Sequence, residues 1–116
     1  MSTTEQILGH HLQCFGEGDL DGIMADYTED SILFTPMGTL KGTGPIRELF
    51  NGMFAEFAKP GASFEMQVQD VQDDCAFIVW NAETADNVYE VGTDTFVVRE
   101  GKIARQSFAG KITPKA

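Results

Sequence analysis

Apolar positions recur at helical spacing as far as Phe57 and alternate one by one from Phe64 onward. That change of period predicts helices in the first half of the chain and strands in the second. Ser2, Thr3 and Thr4, followed by Glu5 and Gln6, offer capping-box registers for a first helix. Its apolar face carries Ile7, Leu8, His11, Leu12 and Phe15. His11 lies inside that stripe, whereas His10 points away from it and is expected at the surface. Gly16 and Gly18 stop the helix, and Asp19 can cap a short second one whose buried side is Leu20, Ile23, Met24 and Tyr27. Asp26, Glu29 and Asp30 read as a solvated cluster. Ser31–Thr35 is a short strand ended by Pro36, and Met37–Lys41 turns back.

Thr43-Gly44-Pro45 places proline in the first turn of a third helix, where its missing N–H costs nothing. Ile46, Leu49, Phe50, Met53, Phe54 and Phe57 then give the strongest amphipathic signal in the chain, closed by Lys59-Pro60-Gly61. Strands follow over Phe64–Val71, Cys75–Ala85, Val88–Arg99 and Ile103–Ile112, with turns at Asp73-Asp74, Asp86-Asn87 and Glu100-Gly101-Lys102. Helices followed by hairpins predict an α+β domain over residues 1–116, with three helices on one antiparallel sheet.

A two-residue loop at Asp86-Asn87 sets Val79 opposite Asp94 and Glu83 opposite Glu90. Phe77, Asn81, Gly92 and Phe96 then share that face. The other face carries Ala76, Ile78, Trp80, Ala82, Tyr89, Val91, Thr93, Thr95 and Val97. Both faces are substantially apolar, yet three helices can cover only one. A second copy of the chain is the economical cover for the other, through Ile78, Trp80, Tyr89, Val91 and Val97. The face that mixes Phe77, Val79 and Phe96 with Asn81, Glu83 and Asp94 is the expected pocket side.

Composition narrows the partners. At 116 residues the chain makes one domain with a single core. A net charge of −10 repels nucleic-acid backbones and anionic membranes, so neither is an expected partner. Cys14 and Cys75 form no CxxC pair and read as reduced, half-buried thiols. Met1–Glu5 does not read as a signal peptide, and no apolar run reaches membrane-spanning length. A cytoplasmic location is the expectation. No His/Cys/Asp/Glu spacing reads as a metal site and no phosphate loop occurs, so no cofactor is expected.

The order of helix, Gly-Asp-Leu-Asp-Gly-Ile at 18–23, short helix, strand ending in Pro-x-Gly at 36–38, and Gly-Thr-x-x-Ile-Arg-Glu at 42–48 resembles bacterial steroid delta-isomerase. More broadly it resembles SnoaL-like and nuclear transport factor 2-like cone folds. Asp94-x-Phe96 and Gly101-Lys102 extend the resemblance across most of the chain. It implies a curved antiparallel sheet wrapped around the helices, a pocket at one end of the cone, and frequent dimerisation. The isomerase uses a carboxylate base with an oxyanion hole of tyrosine and protonated aspartic acid. By resemblance, Asp94 matches that aspartic acid, His11 falls at the tyrosine and Thr35 at the base. Tyr27 and Phe50 fall where relatives place supporting tyrosines. Threonine has no pKa suited to proton abstraction, so steroid isomerisation by the parent mechanism is not expected.

These residues give a specific expectation. His11 and Asp94, supported by Tyr27, would polarise a carbonyl or hydroxyl oxygen on a small apolar molecule. Thr35, Phe50, Phe54, Val79, Asn81, Glu83, Phe96 and Phe108 would form the binding surface. His11 could donate to an oxyanion, shuttle protons near neutrality or pair with Asp94. Asp94 would be neutral in an oxyanion hole and ionised in such a pair. A buried Glu83–Glu90 pair sharing a proton could replace the missing base. The chemistry stays open among isomerisation, cyclisation, dehydration and hydrolysis. The alternative is a non-catalytic binding or dimerisation domain.

Overall fold

The capping box forms as the sequence requires. Ser2 Oγ accepts from the Glu5 amide at 3.1 Å, and the Glu5 carboxylate accepts from the Ser2 amide at 3.2 Å. It opens α1 (Thr3–Glu17), which ends where Gly18 takes a left-handed φ of 66°. Asp19 caps α2 (Leu20–Met24) through the Gly22 amide at 2.9 Å. The chain continues through β1 (Ile32–Thr35) and β2 (Gly38–Lys41) into α3 (Thr43–Phe57). No side chain on Gly42 can cap α3, and Glu29 accepts from the Thr43 amide instead, at 3.1 Å. The remaining strands are β3 (Ser63–Gln72), β4 (Cys75–Glu83), β5 (Asn87–Arg99) and β6 (Lys102–Pro114). This computed structural model describes residues 2–115; the two terminal residues of the expected domain lie outside the described residues.

The fold is α+β: three helices lie against one curved, six-stranded sheet of order β2-β1-β6-β5-β4-β3. One pairing departs from the expected antiparallel sheet, because β1 runs parallel to β6, with Ile32 opposite Arg105 and Phe34 opposite Ser107. These strands are joined through α3 and the whole meander, so no hairpin forces them antiparallel. Ile23, Leu33, Ile46, Phe50, Phe96 and Ile103 are buried between helices and sheet. Among the described residues no helix is long and apolar enough to cross a membrane.

The larger correction concerns the faces of the β4–β5 hairpin. The turn is Thr84–Asp86, not Asp86-Asn87: the buried Thr84 hydroxyl accepts from the amides of Asp86 and Asn87 at 3.2 and 3.0 Å. Glu83 therefore faces Val88, not Glu90. A bulge follows. Glu90 and Val91 stand against Asn81 alone, and on the β6 side Glu90 has no partner between Tyr89↔Ile112 and Val91↔Lys111. One extra residue inverts the alternation along the rest of a strand. Asp94 consequently pairs with Ile78, and Trp80 pairs with Gly92. Ala76, Ile78, Trp80, Ala82, Tyr89, Asp94 and Phe96 face the helices, whereas Phe77, Val79, Asn81 and Glu83 lie on the outside. Gly92 is needed here, since a Cβ at that position would come within 2.4 Å of the Trp80 ring.

Two smaller expectations also change. Asp26 is buried, not solvated, while Glu29 and Asp30 are exposed as read. The two thiols are both free but not alike: Cys14 is buried and Cys75 exposed.

Candidate functional site

A cavity of about 600 Å³ opens between the inner sheet face, α1, α3 and the β1–β2 turn. Its walls are mostly apolar and aromatic, including Phe15, Phe50, Phe64, Trp80 and Phe108. Trp80 is stacked between Phe64 and Phe108, at centroid distances of 5.4 and 6.0 Å. Volume and lining suit a small, largely apolar molecule. Among the described residues the ionisable side chains on the wall are His11, Asp94 and Tyr89, and Asp94 is the one carboxylate.

Asp94 is buried on β5 and held at both oxygens. Trp80 Nε1 donates to Oδ1 and Gln106 Nε2 donates to Oδ2, each at 2.9 Å. Burial pushes the Asp94 carboxyl up, and the two donors oppose that without cancelling it. Behind Gln106, the buried Tyr27 hydroxyl donates to its Oε1. Tyr27 is itself absent from the cavity wall. Burial, then the Asp94 and Asp26 carboxylates, push its phenol well above the ordinary range.

His11 comes from the apolar stripe of α1 and meets Phe96, Phe50 and Tyr27 edge-on, at 5.1, 5.7 and 6.3 Å. Its Nδ1 is buried with no hydrogen-bond partner among the described residues. Burial and then the neighbouring His10 lower its pKa to about 4, so it is neutral at pH 7. This removes the proton shuttle near neutrality. His11 and Asp94 also form no hydrogen bond or ion pair among the described residues, so the proposed His11–Asp94 pair is overturned by position.

The other sequence candidates divide cleanly. Thr35, Phe50 and Phe108 line the cavity. The Thr35 hydroxyl donates to Gly38 O at 2.8 Å and accepts from the Met37 amide at 3.1 Å, holding the β1–β2 turn. Phe54 packs behind the wall on Phe15 and Phe50, and Phe96 lies behind His11. Val79, Asn81 and Glu83 are displaced to the outer face by the bulge. There Asn81 accepts from Gln67 at 2.5 Å and Glu83 from Lys115 at 2.6 Å. Glu90 accepts from Thr113 at 2.6 Å, so no shared-proton Glu83–Glu90 pair exists. Ile78, Trp80 and Tyr89, expected at a dimer face, line the cavity instead. Gln106 escaped notice because a glutamine carries no signal until β6 is seen to set it beside Asp94.

A second polar cluster was also missed. His10 Nδ1 lies 2.5 Å from Asp26 Oδ2, and its Nε2 lies 3.4 Å from Cys14 Sγ. The order is that of a thiol, a base and its orienting acid, but the thiol is closed in. A Cβ on Gly22 would come within 2.9 Å of Cys14 Sγ. Burial and the carboxylates of Asp19, Asp26 and Glu17 push the thiol up. The cluster therefore fastens α1 to the end of α2. Among the described residues no group of His, Cys, Asp and Glu could hold a metal ion.

The model of the SnoaL-like domain matches residues 8–106. No curated protein matches the chain significantly. Among solved structures, the chain is similar to the epoxide hydrolase/cyclase-like enzyme SalBIII of pyran ring formation in polyether salinomycin. The two are 19% identical over 97% of this chain and 95% of that one, with a TM-score of 0.80. It is also similar to a protein from Kribbella flavida DSM 17836 named as a candidate ketosteroid isomerase, at 14% identity over 94% and 78% of the chains and a TM-score of 0.76. A third is TerC co-crystallised with polyporic acid, at 17% identity, coverage of 95% and 92%, and a TM-score of 0.74. At these identities the likeness concerns the fold.

Proposed function

The chain belongs to the family of SnoaL-like domains, and on that premise we propose that its cavity receives a small, largely apolar molecule bearing a carbonyl or hydroxyl and exchanges a proton with it through Asp94. One observation carries this reading: a single carboxylate stands in an apolar wall with both oxygens held in place. Its raised pKa moves it toward the range in which a carboxyl exchanges protons efficiently. Neutral His11 supplies a hydrogen-bonding group beside the same cavity. The chemistry would be cofactor-free acid–base catalysis of the isomerase, cyclase, dehydratase or hydrolase type. Names of similar structures, which concern ring formation and ketosteroid isomerisation, support that range.

A titration with naphthols and phenols of graded acidity tests the site. Saturable binding is expected, weakened at least 100-fold by Asp94→Asn and less by His11→Ala. Binding indifferent to both substitutions overturns the reading. A second reading, a non-catalytic carrier, is favoured by Thr35, which by resemblance falls at the isomerase's base and has its hydroxyl engaged by Gly38 O and the Met37 amide. Tight Asp94-dependent binding without turnover of any carbonyl or epoxide substrate would select it.

We further propose a homodimer through the outer sheet face. Phe34, Val68, Phe77 and Val91 are 39–48% exposed there. A cross-strand row of Phe77, Thr95, Ser107 and Phe34 carries no charge on its four central strands, and Asp70 ends it on the edge strand β3. Two copies of an acidic chain can meet at the centre of such a row without bringing carboxylates together. Sedimentation should show a dimer at micromolar concentration that Phe77→Lys dissociates; a monomeric parent chain overturns it.

A further inference from the structure

Tyr27 and Gln106 are buried polar side chains, and neither is explained by packing alone. Among the described residues the Tyr27 hydroxyl has a single partner, Gln106 Oε1. A primary amide has one accepting and one donating end. With Oε1 occupied by the tyrosine proton, only the NH₂ end can meet Asp94 Oδ2, and it does so at 2.9 Å. On the other oxygen, indole Nε1 of Trp80 can only donate. Both Asp94 oxygens are therefore met by N–H groups, an arrangement that satisfies a carboxylate and disfavours a proton on either contacted lone pair.

The reverse amide orientation shows why the tyrosine matters. A protonated Asp94 could donate to Gln106 Oε1, and the amide NH₂ could donate to Tyr27. The tyrosine's own proton would then be buried with no acceptor, since no other partner of that hydroxyl exists among the described residues. An orphaned buried donor costs about 1–3 kcal/mol, enough to decide between two orientations. We infer that Tyr27 and Gln106 are positioning residues: the tyrosine fixes the direction of the amide, and the amide holds Asp94 as a proton acceptor facing the cavity, the opposite of a neutral oxyanion-hole acid. This rests on the reading of Asp94 as the proton-exchanging group.

Among the described residues no other charged group lies on the cavity wall, and Asp26, which acts on Tyr27, is held by His10 at 2.5 Å. On the cavity wall α3 contributes Leu49, Phe50 and Met53, and β1 and β2 contribute Leu33, Thr35 and Leu40. From α1 comes neutral His11, and Tyr89 gives its hydroxyl to Glu56 at 2.9 Å.

The test is the titration of the Asp94 side-chain carboxyl, followed by carbon NMR without ligand in the parent chain, Tyr27→Phe and Gln106→Leu. Tyr27→Phe removes one oxygen that touches neither Asp94 nor the cavity, yet it should raise the Asp94 midpoint by at least one pH unit. Gln106→Leu should raise it at least as much. Should Gln106→Leu fail to fold, Tyr27→Phe carries the test alone. The same tyrosine substitution should move a bound naphthol, read by absorbance, from its neutral form toward naphtholate. An unchanged midpoint in Tyr27→Phe overturns the inference, even where stability falls and naphthol binding still depends on Asp94. A shifted midpoint in a chain that binds no naphthol upholds the positioning and removes the functional reading.

Discussion

Glu56 and Asp94 are both carboxylates fed by hydrogen-bond donors, and their pKa values are shifted in opposite directions. Glu56, on α3, accepts from Thr84 Oγ1 at 2.6 Å, from Asn87 Nδ2 at 2.9 Å and from the Tyr89 hydroxyl at 2.9 Å. Burial pulls its pKa up, but Asn87, Thr84 and Tyr89 together outweigh it and the net shift is downward. Asp94 is deeper, has two donors, and burial wins. The difference is one of purpose in the fold. Glu56 ties the β4–β5 turn to the end of α3, so its charge is spent on structure. Asp94 keeps part of its cost unmet beside a cavity, where a ligand can meet it.

Exchanging the two roles by mutation is the strongest way to break this contrast. Glu56→Ala orphans three donors, one of them on the fully buried Thr84. It should cost about 4 kcal/mol in urea unfolding while naphthol affinity falls less than tenfold. Asp94→Asn should cost less, about 1–3 kcal/mol, because loss of the buried charge offsets part of the cost of setting the new amide NH₂ against the Trp80 or the Gln106 donor, although it disables binding. A stability loss at Asp94 as large as that at Glu56 would place both carboxylates in the scaffold.

The fold was legible because it rests on local signals that survive packing. The Ser2–Glu5 capping box, the stop at Gly18 and the Ile46–Phe57 stripe all act within a few residues of chain. The site was legible only where a helix carried it: helical period put His11 inward, and it is inward. Along the strands, one unpaired residue at Glu90 defeated the argument. Period-two reasoning is exact between bulges and inverted beyond them, so Asp94 and Phe96 were assigned to the correct side while Val79, Asn81 and Glu83 were not. Nothing in Asn-Val-Tyr-Glu-Val-Gly marks the bulge except Gly92, whose empty Cβ position admits Trp80. Trp80 and Gln106 meet Asp94 from separate strands, and Tyr27 meets Gln106 from a third segment. Such a network exists only as tertiary geometry, and no spacing in the sequence encodes it.

His11 sharpens the contrast at its limit, because it shows burial acting with no partner on Nδ1 to offset it. Burial and then the nearby His10 lower its pKa from 6.5 to about 4. The folded protein therefore refuses a proton that the unfolded chain accepts across this window. Stability contributed by neutral His11 is fully present above pH 6.5 and is lost as pH falls toward 4. At about 1.4 kcal/mol per pH unit the loss approaches 3 kcal/mol. Glu56 cannot mimic this, since its lowered pKa places its own loss below 4.5. Asp94 works in the opposite direction: its raised pKa makes its contribution largest below 3.8 and smaller as pH rises. Urea unfolding of the parent chain and His11→Leu at pH 6.5 and pH 4 isolates the term. The parent should lose about 3 kcal/mol more than the variant over that interval. Equal losses would mean that His11 gains a partner in solution, and a bound naphthol that restores acid stability to the parent alone would identify the ligand as that partner.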